Sequence, residues 1–178
     1  MRIYSKTGDK GSTSLANGKK VSKSSLQVHS YGEVDELSSH LSLLSEHIKN
    51  YSDISQIIFN IQINLYFLGA ELAGLPLKSL KKPVAFEDIS YLEKSIDTMS
   101  IDLPQLRNFI VPGGCLSNSY AHIARTVCRR AERSVVELAS HQSLRAECVI
   151  YMNRLSDWLF VLARFLSFKS GAEEKVIS

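Results

Sequence analysis

Ile54-Ser55-Gln56-Ile57-Ile58-Phe59-Asn60-Ile61-Gln62-Ile63-Asn64-Leu65-Tyr66-Phe67-Leu68-Gly69-Ala70-Glu71-Leu72 carries the densest apolar periodicity in the chain. Ile57, Ile58, Ile61, Leu65, Leu68 and Leu72 follow Ile54 at offsets of 3, 4, 7, 11, 14 and 18. That spacing is one face of a helix, since strand side chains repeat every two residues. Phe59, Ile63, Tyr66 and Phe67 add apolar groups on other faces, which predicts a central place in a helical bundle. Ser52 or Asp53 is the expected N-cap and Gly74 the expected stop.

The same period recurs four times. Val34, Leu37, Leu41, Leu44 and Ile48 form one stripe, and Ile89, Leu92, Ile96 and Met99 a shorter one. Ala121, Ala124, Cys128, Ala131, Val135 and Leu138 form a stripe of mainly small residues, which permits close helix–helix approach. Met152, Leu155, Leu159, Leu162 and Leu166 complete the set. All four prolines lie between Pro76 and Pro112, leaving both flanks free for long helices. The fold class that follows is all-α: an up-and-down, ferritin-like bundle of five helices. No strand alternation of comparable length occurs, although Arg2-Ile3-Tyr4 can be extended. Residues 1–170 read as a single domain whose residues 5–25 are a polar lead-in, and residues 171–178 as a flexible tail.

Composition bounds the function. A chain of 178 residues with 44% apolar and 22% charged residues supports a folded core, and wholesale disorder is excluded. The balance of 21 basic against 18 acidic residues, 21 − 18 = +3, is small for a nucleic-acid binder. Cys115, Cys128 and Cys148 are odd in number and fit no metal-ligand spacing, so they read as reduced thiols. No apolar run approaches the roughly 20 residues of a membrane span. Met1-Arg2-Ile3-Tyr4-Ser5-Lys6 lacks a signal-peptide core. The expectation is a cytoplasmic protein that engages neither membrane nor nucleic acid.

Four segments carry chemistry. Ser5-Lys6-Thr7-Gly8-Asp9-Lys10-Gly11-Ser12-Thr13 combines flexible backbone, hydroxyls and two lysines, the inventory of a polyphosphate cradle. The same composition also suits a solvated arm, and no Walker A spacing is present. Arg125-Thr126-Val127-Cys128-Arg129-Arg130-Ala131-Glu132-Arg133 sets Arg125, Arg129, Glu132 and Arg133 near one helix face. Converging guanidinium groups suit bidentate phosphate binding, and equally a solvated face of Arg–Glu pairs. Glu33, Asp35 and Glu36 are natural partners for these arginines, or favourable charges near a helix start. Phe109-Ile110-Val111-Pro112-Gly113-Gly114 is a rigid turn entering the arginine helix. Asn153 and Asp157 share a face distinct from the leucine stripe, as a structural network or a ligand contact. The five histidines make no ligand pattern, so a metal held by the protein alone is not expected. No nucleophile elbow occurs.

Taken in order, these segments resemble the PduO-type ATP:cob(I)alamin adenosyltransferases. The matching strings are Tyr4-Ser5-Lys6-Thr7-Gly8-Asp9-Lys10-Gly11, Tyr31-Gly32-Glu33-Val34-Asp35-Glu36-Leu37, Phe109-Ile110-Val111-Pro112-Gly113-Gly114, Arg125 to Arg133, and Asn153-Arg154-Leu155-Ser156-Asp157. The resemblance implies a five-helix bundle assembled as a homotrimer with active sites between subunits. It implies transfer of the 5′-deoxyadenosyl group of ATP to cobalt of a reduced corrinoid (cobalamin), with Mg²⁺ on the phosphates and release of triphosphate. It implies that Ser5, Lys6, Thr7, Gly8, Asp9, Lys10, Gly11, Ser12 and Thr13 wrap the triphosphate. Arg129 would bind phosphate, with Arg130, Glu132, Arg133 and Asn153 completing the nucleotide set and Asp157 supporting Asn153. Asp35 and Arg125 would pair across the subunit interface on the cobalamin side, and Phe109 would lie beneath the corrin. A flavin-type reductase and a downstream adenosylcobalamin-dependent enzyme are the implied partners. A non-catalytic carrier of adenosylcobalamin or ATP is the alternative reading.

Three departures from the family pattern stand out. Gln27 replaces a common Arg, Cys115-Leu116-Ser117-Asn118 is bulkier than the usual run after the glycines, and Ala16-Asn17 replaces a more apolar stretch.

Overall fold

The computed structural model describes Tyr4 and residues 6–177. Five helices account for most of them: α1 (Leu26–His47), α2 (Ser52–Leu72), α3 (Phe86–Ser100), α4 (Leu116–His141) and α5 (Ala146–Ser170). Each contains one of the five sequence stripes, and each stripe is buried: Leu37, Leu41, Leu44, Leu68, Leu155 and Leu159 are wholly inaccessible. The short loop joining α4 to α5 makes that pair antiparallel neighbours. The closest packing runs α2 on α1, α1 on α4, α4 on α5 and α5 on α3.

That order moves the centre of the bundle. Long apolar content predicts α2 as the central helix, yet Phe59 and Tyr66 are exposed and the closest packing of α2 is with α1. The middle helix of that order is α4, between α1 and α5. Its Ala121, Ala124, Cys128 and Ala131 are fully buried; small side chains let two neighbours approach the same helix at once. Polar groups in the seams are paired. Ser30 Oγ donates to the Ser134 carbonyl at 3.0 Å between α1 and α4, and Trp158 Nε1 donates to Ser95 Oγ at 2.9 Å between α5 and α3.

Helix ends depart from the expectations. Tyr51, without a side-chain cap, precedes α2, whose first residue is Ser52. Gly74 does follow α2, at φ +84°. Gln27 Nε2 donates to the Leu72 carbonyl at 2.6 Å, satisfying one of the last carbonyls of α2. At α3 the Asp88 carboxylate accepts the Ala85 N–H at 3.0 Å.

Two small antiparallel ribbons were not legible as alternation. β1 (Ser12–Ser14) pairs with β2 (Lys20–Ser22), and β3 (Phe109–Val111) pairs with β4 (Lys175–Ile177). Strands of three residues are too short to show a period. The second ribbon corrects the reading of residues 171–178 as a flexible tail: Lys175–Ile177 is a strand bound to the turn that precedes α4. Arg164, buried on α5, fastens it, donating to both Glu174 carboxylate oxygens at 2.8 and 3.0 Å and to the Pro104 carbonyl at 2.8 Å. The possible extension at Arg2-Ile3-Tyr4 lies largely outside the described residues.

Truncating Leu159 to Ala is expected to lower the unfolding free energy by about 2–5 kcal/mol. Phe59→Ala on the exposed face of α2 should change it by no more than about 0.5 kcal/mol. Urea denaturation of both variants checks the placement of the core.

Candidate functional site

The leading arm is ordered by its own turns. The Gly11 N–H donates to the Gly8 carbonyl at 3.1 Å, and the Lys23 N–H to the Gly11 carbonyl at 2.9 Å. Lys6 sits at φ +62° and Gly11 at φ +77°, left-handed values that fold the chain back tightly. Lys6, Thr7, Asp9, Lys10 and Gly11 are exposed, while Gly8, Ser12 and Thr13 are half-buried. Ser5 lies outside the described residues. Beyond β1 the buried Leu15 and the Ala16 N–H, which donates to the Ala73 carbonyl at 2.9 Å, anchor the arm on the end of α2. Asn17 Oδ1 accepts the Lys19 N–H at 3.0 Å within the β1–β2 turn.

On α4 the arginine row divides among three cavities, Arg130 facing α1 in one of about 930 Å³ with Lys23, Glu33 and Glu36. Arg129, Glu132 and Arg133, with Asn153 of α5, line a cavity of about 390 Å³ that Glu137 and Ser140 extend. Asn153 Nδ2 donates to Glu132 Oε1 at 2.9 Å. Among the described residues, none of the arm lines this cavity within one chain. One turn earlier, Arg125 lines a third cavity of about 660 Å³ with Leu106, Phe109, His122, Phe160 and Ile177. Phe109 is 85% exposed, an unusual state for a large aromatic side chain. It is held there by β3, whose backbone pairs with β4.

The turn between β3 and α4 is fixed by Asn118. This buried residue accepts the Gly113 N–H at 2.9 Å and donates to the Ala163 carbonyl at 3.0 Å. Gly113 at φ +139° and Gly114 at φ +95° occupy backbone regions that favour glycine. Cys115 precedes the first turn of α4. Burial pushes its thiol up, but hydrogen bonds from Ser117, Ser170, Asn118 and Ser167 outweigh that and hold it below the usual range. Burial raises the thiol of Cys148 to about 12 and that of Cys128 further. No cluster of His, Cys, Asp and Glu able to hold a metal occurs among the described residues.

Glu33 and Glu36 do partner an arginine of α4, as one reading of the sequence expected. Arg130 faces α1, bonded to Glu33 at 3.2 Å and to Glu36, and lines neither the Arg129 nor the Arg125 cavity. The Arg130 hydrogen bond holds the Glu36 carboxyl below its ordinary range. Glu33, Asp35 and Glu36 lie beyond the first turn of α1, which begins at Leu26, so they are not helix-start charges. Asp35 is exposed and is not joined to Arg125 within the chain. Asp157 accepts from Arg154 Nη1 at 2.8 Å rather than supporting Asn153.

His122, Phe160, Ile177 and the Arg164–Glu174 pair were missed from sequence. His122 had a signal: it stands three residues before Arg125 on a helix. Arg125 Nε donates to His122 Nδ1 at 3.1 Å. Burial, then the Arg125 charge, push the His122 ring down to about 4 against the opposing pull of Glu174. Burial and the Arg129 charge also lower Arg125.

The five-helix bundle thus carries an arginine-lined cavity and an aromatic-walled cavity on successive turns of one helix. The cobalamin adenosyltransferase family model matches residues 3–166. A cobalamin adenosyltransferase from Cupriavidus metallidurans is 41% identical over 173 residues, covering 97% of this chain and 92% of that one. A corrinoid adenosyltransferase from Bacillus subtilis is 40% identical, covering 96% of this chain and 89% of that one. A solved variant of a PduO-type ATP:corrinoid adenosyltransferase from Lactobacillus reuteri, complexed with cobalamin and ATP, superposes with a TM-score of 0.91 at 32% identity over 99% of each chain. The chain belongs to the cobalamin adenosyltransferase family.

Arg130→Ala should cost about 1–3 kcal/mol of stability by leaving the buried Glu33 carboxylate with the Ser134 hydroxyl but without its guanidinium, with ATP affinity unchanged within about twofold; calorimetric unfolding and ATP titration separate the two effects. Neutral His122 gives a pH signature. As pH falls below about 6.5 the unfolded chain takes up the proton first, so this residue's stabilisation is intact above about 6.5 and lost toward about 4. In His122→Phe the loss across that window should shrink by on the order of 2–3 kcal/mol, read from denaturation curves at pH 7 and pH 4.5.

Proposed function

We propose that this chain transfers the 5′-deoxyadenosyl group of ATP to the cobalt of a reduced corrinoid, forming adenosylcobalamin and releasing triphosphate. The observation that carries the reading is the adjacency of two unlike cavities on α4. One presents the guanidinium groups of Arg129 and Arg133 beside Glu132, Glu137 and Asn153; the other is walled by Phe109, Phe160 and Ile177. Arg125 and Arg129 are four residues apart, a rise of roughly 6 Å along the helix. That distance brings the sugar end of a nucleotide beside a flat apolar partner.

The reaction needs positioning more than proton transfer. The cobalt electron pair attacks C5′, the C5′–O bond breaks, and the triphosphate departs with the bonding pair. Arg129 and Arg133 stabilise the charge that accumulates on the leaving group. The Asn153–Glu132 pair orients the nucleoside, and holding both substrates converts a bimolecular encounter into an oriented one. Mg²⁺ accompanies the phosphates as part of the substrate.

None of the described arm residues lines the Arg129 cavity of its own chain; residues 5–13, with Lys6 and Lys10 as countercharges, reach it from a neighbouring protomer of a homotrimer. Arg125 keeps its terminal nitrogens for Asp35 of the partner subunit, since its Nε is engaged by His122. Phe109, exposed beside the corrinoid cavity, displaces the lower axial ligand, which makes cobalt easier to reduce. A flavin-type reductase supplies the electron, and an adenosylcobalamin-dependent enzyme receives the product. No helix among the described residues is long and apolar enough to cross a membrane, which agrees with work in the cytoplasm.

Anaerobic incubation with ATP and chemically reduced cobalamin is the test, with the cobalt–carbon bond followed by absorbance. Arg129→Ala should lose at least about a hundredfold in kcat/KM, the scale of one charge-assisted contact in the transition state. Near-normal adenosylation by that variant rejects the assignment. Wild-type protein that binds both substrates without forming the bond is instead a carrier. The solution mass of active protein should correspond to three chains.

A further inference from the structure

His122 lines the corrinoid cavity, is only 3% exposed, and has two nitrogens with opposite fates. Nδ1 accepts the Arg125 Nε–H at 3.1 Å. A nitrogen that accepts this bond carries a lone pair and no proton, so the single proton of the neutral ring resides on Nε2. The depressed pKa, about 4, agrees with a neutral ring. Nε2 is buried and has no hydrogen-bond partner, the one side-chain nitrogen in that state among the described residues.

An N–H left in this condition is destabilising by about 1–3 kcal/mol, and buried polar groups are ordinarily paired. The neighbours of His122 do not relieve it. Phe160 meets the ring edge-on, with centroids 6.2 Å apart, and Glu174 is committed to Arg164. Of the other polar side chains of the cavity, Arg107 and Asn108 are exposed and Arg125 is half-buried, so water can reach them. Among the cavity's residues His122 alone therefore carries a buried side-chain donor with no partner.

We propose that His122 is a corrinoid-binding residue: held by Arg125 in the Nε2–H tautomer, it donates a hydrogen bond to an amide carbonyl on the corrin periphery. The inference rests on the adenosyltransferase reading and extends it to a residue outside the arginine row. It also follows that His122 leaves the cobalt alone. With Nδ1 occupied by Arg125 and Nε2 protonated, neither nitrogen has a free lone pair for a metal, so the imidazole beside the lower face of the corrin does not become an axial ligand.

Two measurements test this. In the ligand-free protein, ¹⁵N–¹H correlation of the His122 ring should show a protonated Nε2 and an unprotonated Nδ1. Adding ATP and diamagnetic Co(III) cobalamin should move the Nε2–H resonance downfield. A proton on Nδ1, or an Nε2–H signal indifferent to cobalamin, overturns the proposal. In steady-state adenosylation, His122→Asn keeps an acceptor near Nδ1 but loses the Nε2 donor. Its KM for the corrinoid should rise about tenfold, with kcat and the KM for ATP within about twofold. His122→Gln, which places an amide N–H near the position of Nε2, should recover most of that loss. Normal turnover by the wild-type protein together with an unchanged corrinoid KM in His122→Asn overturns this inference alone. A wild-type protein that makes no cobalt–carbon bond overturns the adenosyltransferase reading and this inference with it. If His122→Asn fails to fold, the resonance shift in the wild-type protein decides.

Discussion

The close packing of α4 between α1 and α5 is the constraint from which the rest follows. It is possible because Ala121, Ala124, Cys128 and Ala131 present almost no side chain to the two seams. A helix gripped on two sides has little perimeter left. The arginines that share α4 with the small stripe are therefore confined to the remaining strip, and their order along the helix becomes their order in space. Arg125 and Arg129 fall on one strip and open onto different cavities. Arg130 is turned toward α1 and spent on Glu33 and Glu36. The same seam that brings the cationic groups together thus removes one of them from service.

The aromatic cavity is built differently, from pieces that are weak alone. β3 and β4 are three residues each, far too short to be stable as an isolated pair. They persist because each end is fastened to the bundle. Asn118 ties the Gly113 turn to α5, and Arg164 ties Glu174 and Pro104 to the same helix. Both anchors are buried polar groups on helices that bind irregular segments, the Gly113 turn, Glu174 and Pro104, so rigid helices hold Phe109 out in solvent. An exposed aromatic side chain on a firmly held strand is a prepared surface. The residue three positions before Arg125 adds the one unmet donor to that surface.

Charge and shape divide the labour between the two cavities. Around Arg129 two guanidinium groups stand beside Glu132, Glu137 and Asn153, and guanidinium geometry favours phosphate there. Around Phe109 the aromatic and aliphatic side chains share the wall with Arg107, Asn108, His122 and Arg125, and burial of a flat ligand on the apolar part is driven by surface removed from water. One helical turn separates them, and that spacing fits a reaction whose electrophilic carbon belongs to the nucleotide and whose nucleophile belongs to the corrinoid.

Helix existence and the five buried stripes were legible in the sequence, because a period near 3.6 is a local property that packing only confirms. The ordered motifs, set against a known family, were likewise enough to point to the two substrates. Which helix lies at the centre was not legible: α2 is the most apolar, yet the small-residue α4 takes the middle place between α1 and α5. The tail at Lys175–Ile177 and the turn at Phe109–Val111 are too short to show alternation, so only long-range pairing made them strands. Arg130, Asp157 and His122 were decided in the same way. A sequence states which side chains share a helix face to within a residue or so, whereas an ion pair or a locked tautomer depends on a partner from another part of the chain at hydrogen-bond distance.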